Sequence, residues 1–313
     1  MTKIRSNDDS MIEDRRRRKG GAAGGAGAGI PGMPGGMGGM PFPMKAGGGV
    51  LGIIALVAMM LLGGNMLGGE DGSSLSGGTG SGTGGASSNI GGDAAKSACT
   101  TEIEQVLCGA TIDTQTYWKT ALPKFFGVPY QTTKTVFFTG STNTGCGKAT
   151  SEVGPFYCPA DKLVYFDLDF LVALEKQLIG KSTDLAQQYI VAHEYGHHLQ
   201  NVLGTSDQVR RAQQQQPSLK NQYSVALELQ ADCYAGVWVG DVSRRGLLDN
   251  ANEINEALAA AEGVGDDRIQ IAAQGRTDPE SWTHGSAEQR QSWFMRGFNS
   301  QDPRQCDTFK EMF

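Results

Sequence analysis

The first hundred residues of this chain cannot build a hydrophobic core, and that fixes where a fold can lie. Most of the 45 glycines fall there, and glycine loses the most backbone entropy on folding while offering no side chain to bury. Residues 1–49 read as a disordered tail: a charged start ending in Arg15-Arg16-Arg17-Arg18-Lys19, then Gly/Pro/Met repeats. Residues 68–96 read as a Gly/Ser-rich linker with the reach of a random coil. Between them lies one apolar run, 50–67, with no charge from Lys45 to Glu70.

A bilayer core takes about 20 apolar residues in a helix. The run at 50–67 begins too far into the chain for a signal peptide and lacks a small-residue cleavage site. Its Gly-rich flanks speak against a buried core helix, so it reads as a single transmembrane helix. Basic residues precede it, and Glu70 and Asp71 follow. The expected topology therefore has a cytoplasmic N-terminus and the domain outside, in the periplasm or at the cell surface. What remains, 97–313, is long enough for one domain with its own core. A net charge of −6, with no nucleic-acid-binding pattern, argues against DNA or RNA as a partner.

Inside the domain the apolar pattern changes period. Thr101 to Lys119 reads as a helix and Thr132 to Gly140 as a strand. Phe156-Tyr157-Cys158 and Leu163 to Leu168 read as a hairpin around Pro159-Ala160-Asp161. Helices are expected over Asp184 to Leu203 with Gly204 as its stop, Ser224 to Val239, and Glu253 to Glu262. A last helix opens at the capping box Ser286-Ala287-Glu288-Gln289. The glutamine run Gln213 to Gln216 is expected in a loop. A small hairpin sheet followed by several helices is an α+β domain.

The chemistry is concentrated in Val191-Ala192-His193-Glu194-Tyr195-Gly196-His197-His198. Residues four apart share a helix face, so His193 and His197 can hold one metal ion. Glu194 lies about 100° round from His193, placed for a general base on metal-bound water. A hydrolytic zinc takes three protein ligands and keeps a fourth position open. His198 is turned away from that ion and is expected to pack. Glu228-Leu229-Gln230-Ala231-Asp232 supplies a carboxylate pair on another helix. Glu228 is expected as third ligand, with Asp232 bonding the far nitrogen of a ligand histidine. The apolar neighbours Val225, Leu227 and Ala231 suggest burial, and a dication removes the cost of burying two acids. His284, just before the last capping box, is a candidate donor to the oxyanion. Tyr223 and Tyr234 are the weaker alternatives. The strand at Leu163 to Leu168 is a candidate edge for extended peptide.

Six cysteines, with no Cys-x-x-Cys pair, suit disulfides in an extracytoplasmic domain. The expected pairs are Cys99–Cys108 and Cys146–Cys158, which are near in sequence, and then Cys233–Cys306.

The stretch from Thr139 to Phe309 resembles the bacterial putative neutral zinc metallopeptidases. The resemblance is carried by Gly154-Pro155-Phe156-Tyr157-Cys158-Pro159-Ala160-Asp161, the His193 motif and Glu228 to Cys233. Gly265-Asp266-Asp267-Arg268, Thr283-His284-Gly285 and Gln305-Cys306-Asp307 extend it. The Arg-rich, Gly-rich start and single apolar segment are also similar to that family. The resemblance implies a zincin-like fold of the gluzincin kind with Glu228 as third ligand, and it supplies no substrate. The expected function is a membrane-anchored zinc metallopeptidase acting on peptide or protein. Two other readings stand beside it: a catalytically silent zinc-containing binding module, and a zinc hydrolase of a non-peptide amide.

Overall fold

Two long helices cross where the chemistry was expected: α2, Asp184–Val202, and α4, Lys220–Arg244. The computed structural model describes residues 2–16, 97–171, 183–250 and 252–313. The apolar run 50–67 and the linker 68–96 lie outside these residues. Among the described residues no helix is long and apolar enough to cross a membrane.

Ahead of the crossing come α1, Glu102–Phe126, and the strands β2, Thr135–Phe138, β5, Phe156–Cys158, and β6, Leu163–Asp167. A separate hairpin joins β3, Ser141–Thr144, to β4, Gly147–Thr150. After α2 come α3, Thr205–Gln215, then α4, α5, Glu253–Gly263, and α6, Asp266–Gln274. The chain ends with α7, Ala287–Ser300, and α8, Thr308–Met312. This is an α+β architecture, as expected.

Local rules account for most element ends. Thr101 and Glu104 form a capping box at the start of α1, and Gly127 ends that helix in the left-handed region at φ 69°. The helix runs past the expected Lys119, because Pro123 sits in its last turns and removes only one backbone bond there. Ser286 and Gln289 form the expected capping box of α7. The glutamine run is a correction: glutamine is a good helix former, so α3 continues through it to Gln215 before Pro217 stops it.

With β1, Ile12–Asp14, at one edge, the main sheet has the order β1-β2-β6-β5. β2 and β6 are parallel, with Val136 opposite Tyr165, and β5 is antiparallel to β6. All four residues of β2 are buried, as suits an interior strand. β6 therefore has neighbours on both sides. It cannot add a substrate strand, which corrects the expectation for Leu163 to Leu168.

The strand β1, Ile12–Asp14, comes from the N-terminal stretch read as a disordered tail. Residues 2–16 are instead a strap bound to the domain. β1 pairs in parallel with β2, Ile12 opposite Thr135. Ile4 and Ile12 enter the main core. The amide of Gln188 on α2 donates to the Ile4 carbonyl at 3.0 Å. The strap's charges misled the reading because each finds a partner: Arg5 with Asp184 at 2.8 Å, Arg15 with Glu13 at 2.9 Å, and Arg16 with Asp14 and Glu104. Gly109 of α1 makes room, since a Cβ there would lie 2.8 Å from the Arg5 Cα. This packing joins residues 2–16 to the domain rather than leaving them a free tail.

Burial of Ile4 and Ile12 alone is worth about 3–6 kcal/mol. Deleting residues 2–16 should therefore lower the urea midpoint strongly, and an unchanged midpoint would contradict the strap's place in the core.

All three expected disulfides are present: Cys99–Cys108, Cys146–Cys158 and Cys233–Cys306.

Candidate metal centre

The two site helices approach closely because Gly196 has no side chain. A Cβ there would lie 2.9 Å from the Ala231 Cα on α4. Gly196 lies between His193 and His197, and Ala231 between Glu228 and Asp232, so this contact brings both pairs together. Sequence spacing alone cannot show the contact, because it depends on how the two helices cross.

His193 Nε2 lies 3.1 Å from Glu228 Oε2, and His197 Nε2 lies 3.5 Å from Glu228 Oε1. One ligand atom from each of the three falls within 4.8 Å of the others. His193 Nδ1 meets Asp232 Oδ1 at 2.8 Å, the contact expected of Asp232. With Nδ1 donating, Nε2 keeps its lone pair for a cation. Arg290 of α7 clamps Asp232 with two bonds, 2.7 Å from Nε and 2.9 Å from Nη2, and Tyr189 donates to the same carboxylate.

The electrostatics follow from burial and these contacts. Burial would raise the Asp232 carboxyl, but Arg290 and His193 hold it down at about 2. Burial opposes a proton on His193, yet Asp232 and Glu228 overcome this and push the ring up to about 10. The acids therefore favour a proton on the His193 ring. Burial moves Glu194 the other way, pushing its carboxyl up. Three buried acids, Glu194, Glu228 and Asp232, face two imidazoles and one buried guanidinium. A dication bound by His193, His197 and Glu228 fits both the donor set and the charge.

His284 lies among the imidazoles that act on the Glu228 carboxylate. Its loop packs on α4: a Cβ on Gly285 would lie 3.1 Å from Val225 Cγ1 and 3.4 Å from Leu229 Cδ2. Asp266 organises that loop. Its Oδ2 accepts the backbone N–H groups of Thr283, His284 and Gly285 at 2.7, 2.6 and 3.0 Å. Its Oδ1 lies 3.3 Å from His284 Nδ1. His284 Nε2 is buried with no protein partner. The Gly265 and Thr283 motifs, far apart in sequence, are thus a single structure. Tyr223 stacks on Phe313 and Tyr234 packs on Trp118, so neither joins the metal group.

His198 packs, as expected. Its Nε2 donates to the Gln131 carbonyl at 2.6 Å, and its Nδ1 accepts from the Tyr157 hydroxyl at 3.2 Å. Burial lowers its pKa from the ordinary 6.5 to about 4. The unfolded chain then binds the extra proton first, so stability falls as pH drops from 6.5 to 4 and this contribution changes no further below that. The effect is about 3 kcal/mol. An NMR titration of this ring reads the midpoint directly, and one at or above the ordinary value would contradict the burial account.

Sequence reasoning missed Tyr189, Gln200, Asp266 and Arg290. Tyr189 and Gln200 lie four residues before His193 and three after His197, so helical spacing alone could have flagged both.

Residues 1–309 match the protein family described as Putative neutral zinc metallopeptidase. Among curated proteins, Uncharacterized protein YpfJ of Escherichia coli (strain K12) is 48% identical over 205 residues, 65% of this chain and 69% of that protein. Uncharacterized protein Rv2575 of Mycobacterium tuberculosis (strain ATCC 25618 / H37Rv) is 47% identical over 215 residues, again 65% of this chain and 69% of that protein. No solved structure matches the chain.

Proposed function

Because the chain belongs to the putative neutral zinc metallopeptidase family, we propose that it hydrolyses peptide bonds at the His193, His197 and Glu228 centre, with Glu194 as general base. The observation that carries this reading is the convergence of two imidazole nitrogens and a carboxylate beside the buried Glu194. The Nε2 atoms of His193 and His197 and the carboxylate of Glu228 would hold zinc. When bound, zinc supplies Lewis acidity toward a carbonyl and lowers the pKa of water.

The chain's own residues supply the rest. Asp232 and Arg290 hold His193 in one orientation. Glu194, poised by burial, takes a proton from the attacking water and returns it to the leaving amine. His284, whose Nδ1 accepts from the Thr283 hydroxyl at 3.1 Å, offers its Nε2–H to the oxyanion. An extended peptide would lie along β5, whose Tyr157 hydroxyl contacts His198 and Asn201 of the metal helix. Two histidines on one helix and a glutamate from a second support a zincin-like reading of the gluzincin kind.

The three disulfides support an extracytoplasmic placement. The apolar run 50–67 has the composition to meet a bilayer. The strap limits the topology: reporters fused at either terminus should be found on the same, extracytoplasmic side, whereas reporters on opposite sides would contradict the pairing of β1 with β2.

The activity is tested by incubating zinc-loaded full-length protein with a mixed peptide library and reading products by mass spectrometry. Cleavage that stops on chelation is expected. An uncut library would favour the silent binding module or the non-peptide amide hydrolase.

A further inference from the structure

His193 and His197 are held by different kinds of partner. His193 faces a charged carboxylate. His197 Nδ1 faces a neutral amide oxygen, Gln200 Oε1, at 2.9 Å. Gln200 is fully buried. We propose that Gln200 is a positioning residue of the metal centre, fixing the His197 tautomer through an amide relay that ends on the disulfide-tied C-terminal segment. This rests on the reading of His197 as a metal ligand.

The relay is determined from its far end. Cys306 is bonded to Cys233 of α4. Its carbonyl accepts from Gln230 Nε2 at 2.9 Å, which turns Gln230 Oε1 the other way. That oxygen accepts from Gln200 Nε2 at 3.2 Å, and the same Nε2 donates to the Leu227 carbonyl at 2.7 Å. Gln200 Nε2 thus faces two acceptors. Flipping its amide would set oxygen against oxygen at both and lose two buried bonds, a penalty of several kcal/mol. Gln200 Oε1 is therefore left to His197, and it can only accept. His197 must carry its proton on Nδ1, which leaves the Nε2 lone pair facing Glu228. A free imidazole would populate both tautomers, and one of them cannot bind a metal through Nε2. The relay removes that choice before any ion arrives.

Partners of this kind typically change metal affinity 10–100-fold when removed. Gln200→Met keeps the volume and deletes the acceptor. Zinc affinity of the full-length protein, measured by competition with a chromophoric chelator, should fall by about 10–100-fold. At a pH high enough to leave the His197 ring neutral, its ¹⁵N spectrum in the metal-free protein should change from a single Nδ1–H tautomer to a mixture. Thr308→Val is the structural control. It removes another buried bond to α4, Thr308 Oγ1 to the Ala226 carbonyl, and should lower stability without moving zinc affinity. Gln230→Met removes the lock on Gln200 together with the bond to the Cys306 carbonyl, leaves the Gln200 acceptor in place, and should weaken zinc in the same direction by less, which covers a failure of Gln200→Met to fold. Wild-type zinc affinity in folded Gln200→Met, or in Gln230→Met if the former does not fold, would overturn the relay alone. A wild-type chain that takes up no zinc would instead overturn the metal reading and the relay with it.

Discussion

Glu194→Gln should slow peptide cleavage by about two to four powers of ten while zinc content stays at the wild-type level. Gln is nearly isosteric with Glu, so packing beside His193 survives. What is lost is the atom that accepts a proton. Glu194 is only 7% exposed, and burial holds its carboxyl above the ordinary range. Such a group sits nearer the working pH of a general base than a solvated glutamate does. Steady-state rates on any peptide found to be cut, with metal analysis on the same sample, separate the possible roles. An unchanged rate would remove Glu194 from the chemistry. Loss of zinc would make it a ligand instead.

Arg290→Met should destabilise the domain by about 3–5 kcal/mol, the range for breaking a buried ion pair from one side. Arg290 is 3% exposed and Asp232 is fully buried. Without the guanidinium, the Asp232 carboxylate keeps only Tyr189 and His193 as partners. The second substitution Asp232→Asn should restore part of the loss, because it removes the charge left behind. Urea unfolding of the single and double variants gives the coupling directly. A loss below about 1 kcal/mol in Arg290→Met would put the pair in the class of solvent-screened bridges and contradict its burial.

The parts of the site that follow from periodicity along one helix were legible in the sequence. His193 and His197 share a face because they are four apart, and Glu228 and Asp232 do so for the same reason. Assigning Asp232 to the far nitrogen of a ligand histidine also followed, because a ligand ring needs such a partner. Arg290 and Asp266 were not legible in that way. Each reaches the centre from a different element, α7 or the start of α6, and no local pattern encodes which helix face will meet α4. His284 shows the boundary between the two cases. Its position before a capping box suggested a loop near the site, but the reason its ring is held there is Asp266, 18 residues earlier.

The fold divides along the same line. The helices opened by Thr101 and Ser286 carry their caps in sequence. The strap does not announce itself. Three residues of β1 give too short a run for alternation to register, and a charged, arginine-rich start resembles a solvated tail until each partner is seen in space. The same limit explains β6: its composition marks a strand, whereas its interior position depends on β2 and β5 flanking it.

Zinc titration of the full-length protein beside its Glu228→Ala variant tests the centre most directly. The arrangement of His193, His197 and Glu228 predicts one zinc per wild-type chain and loss of tight binding in the variant. A Glu228→Ala protein that still holds one zinc per chain with wild-type affinity would contradict it.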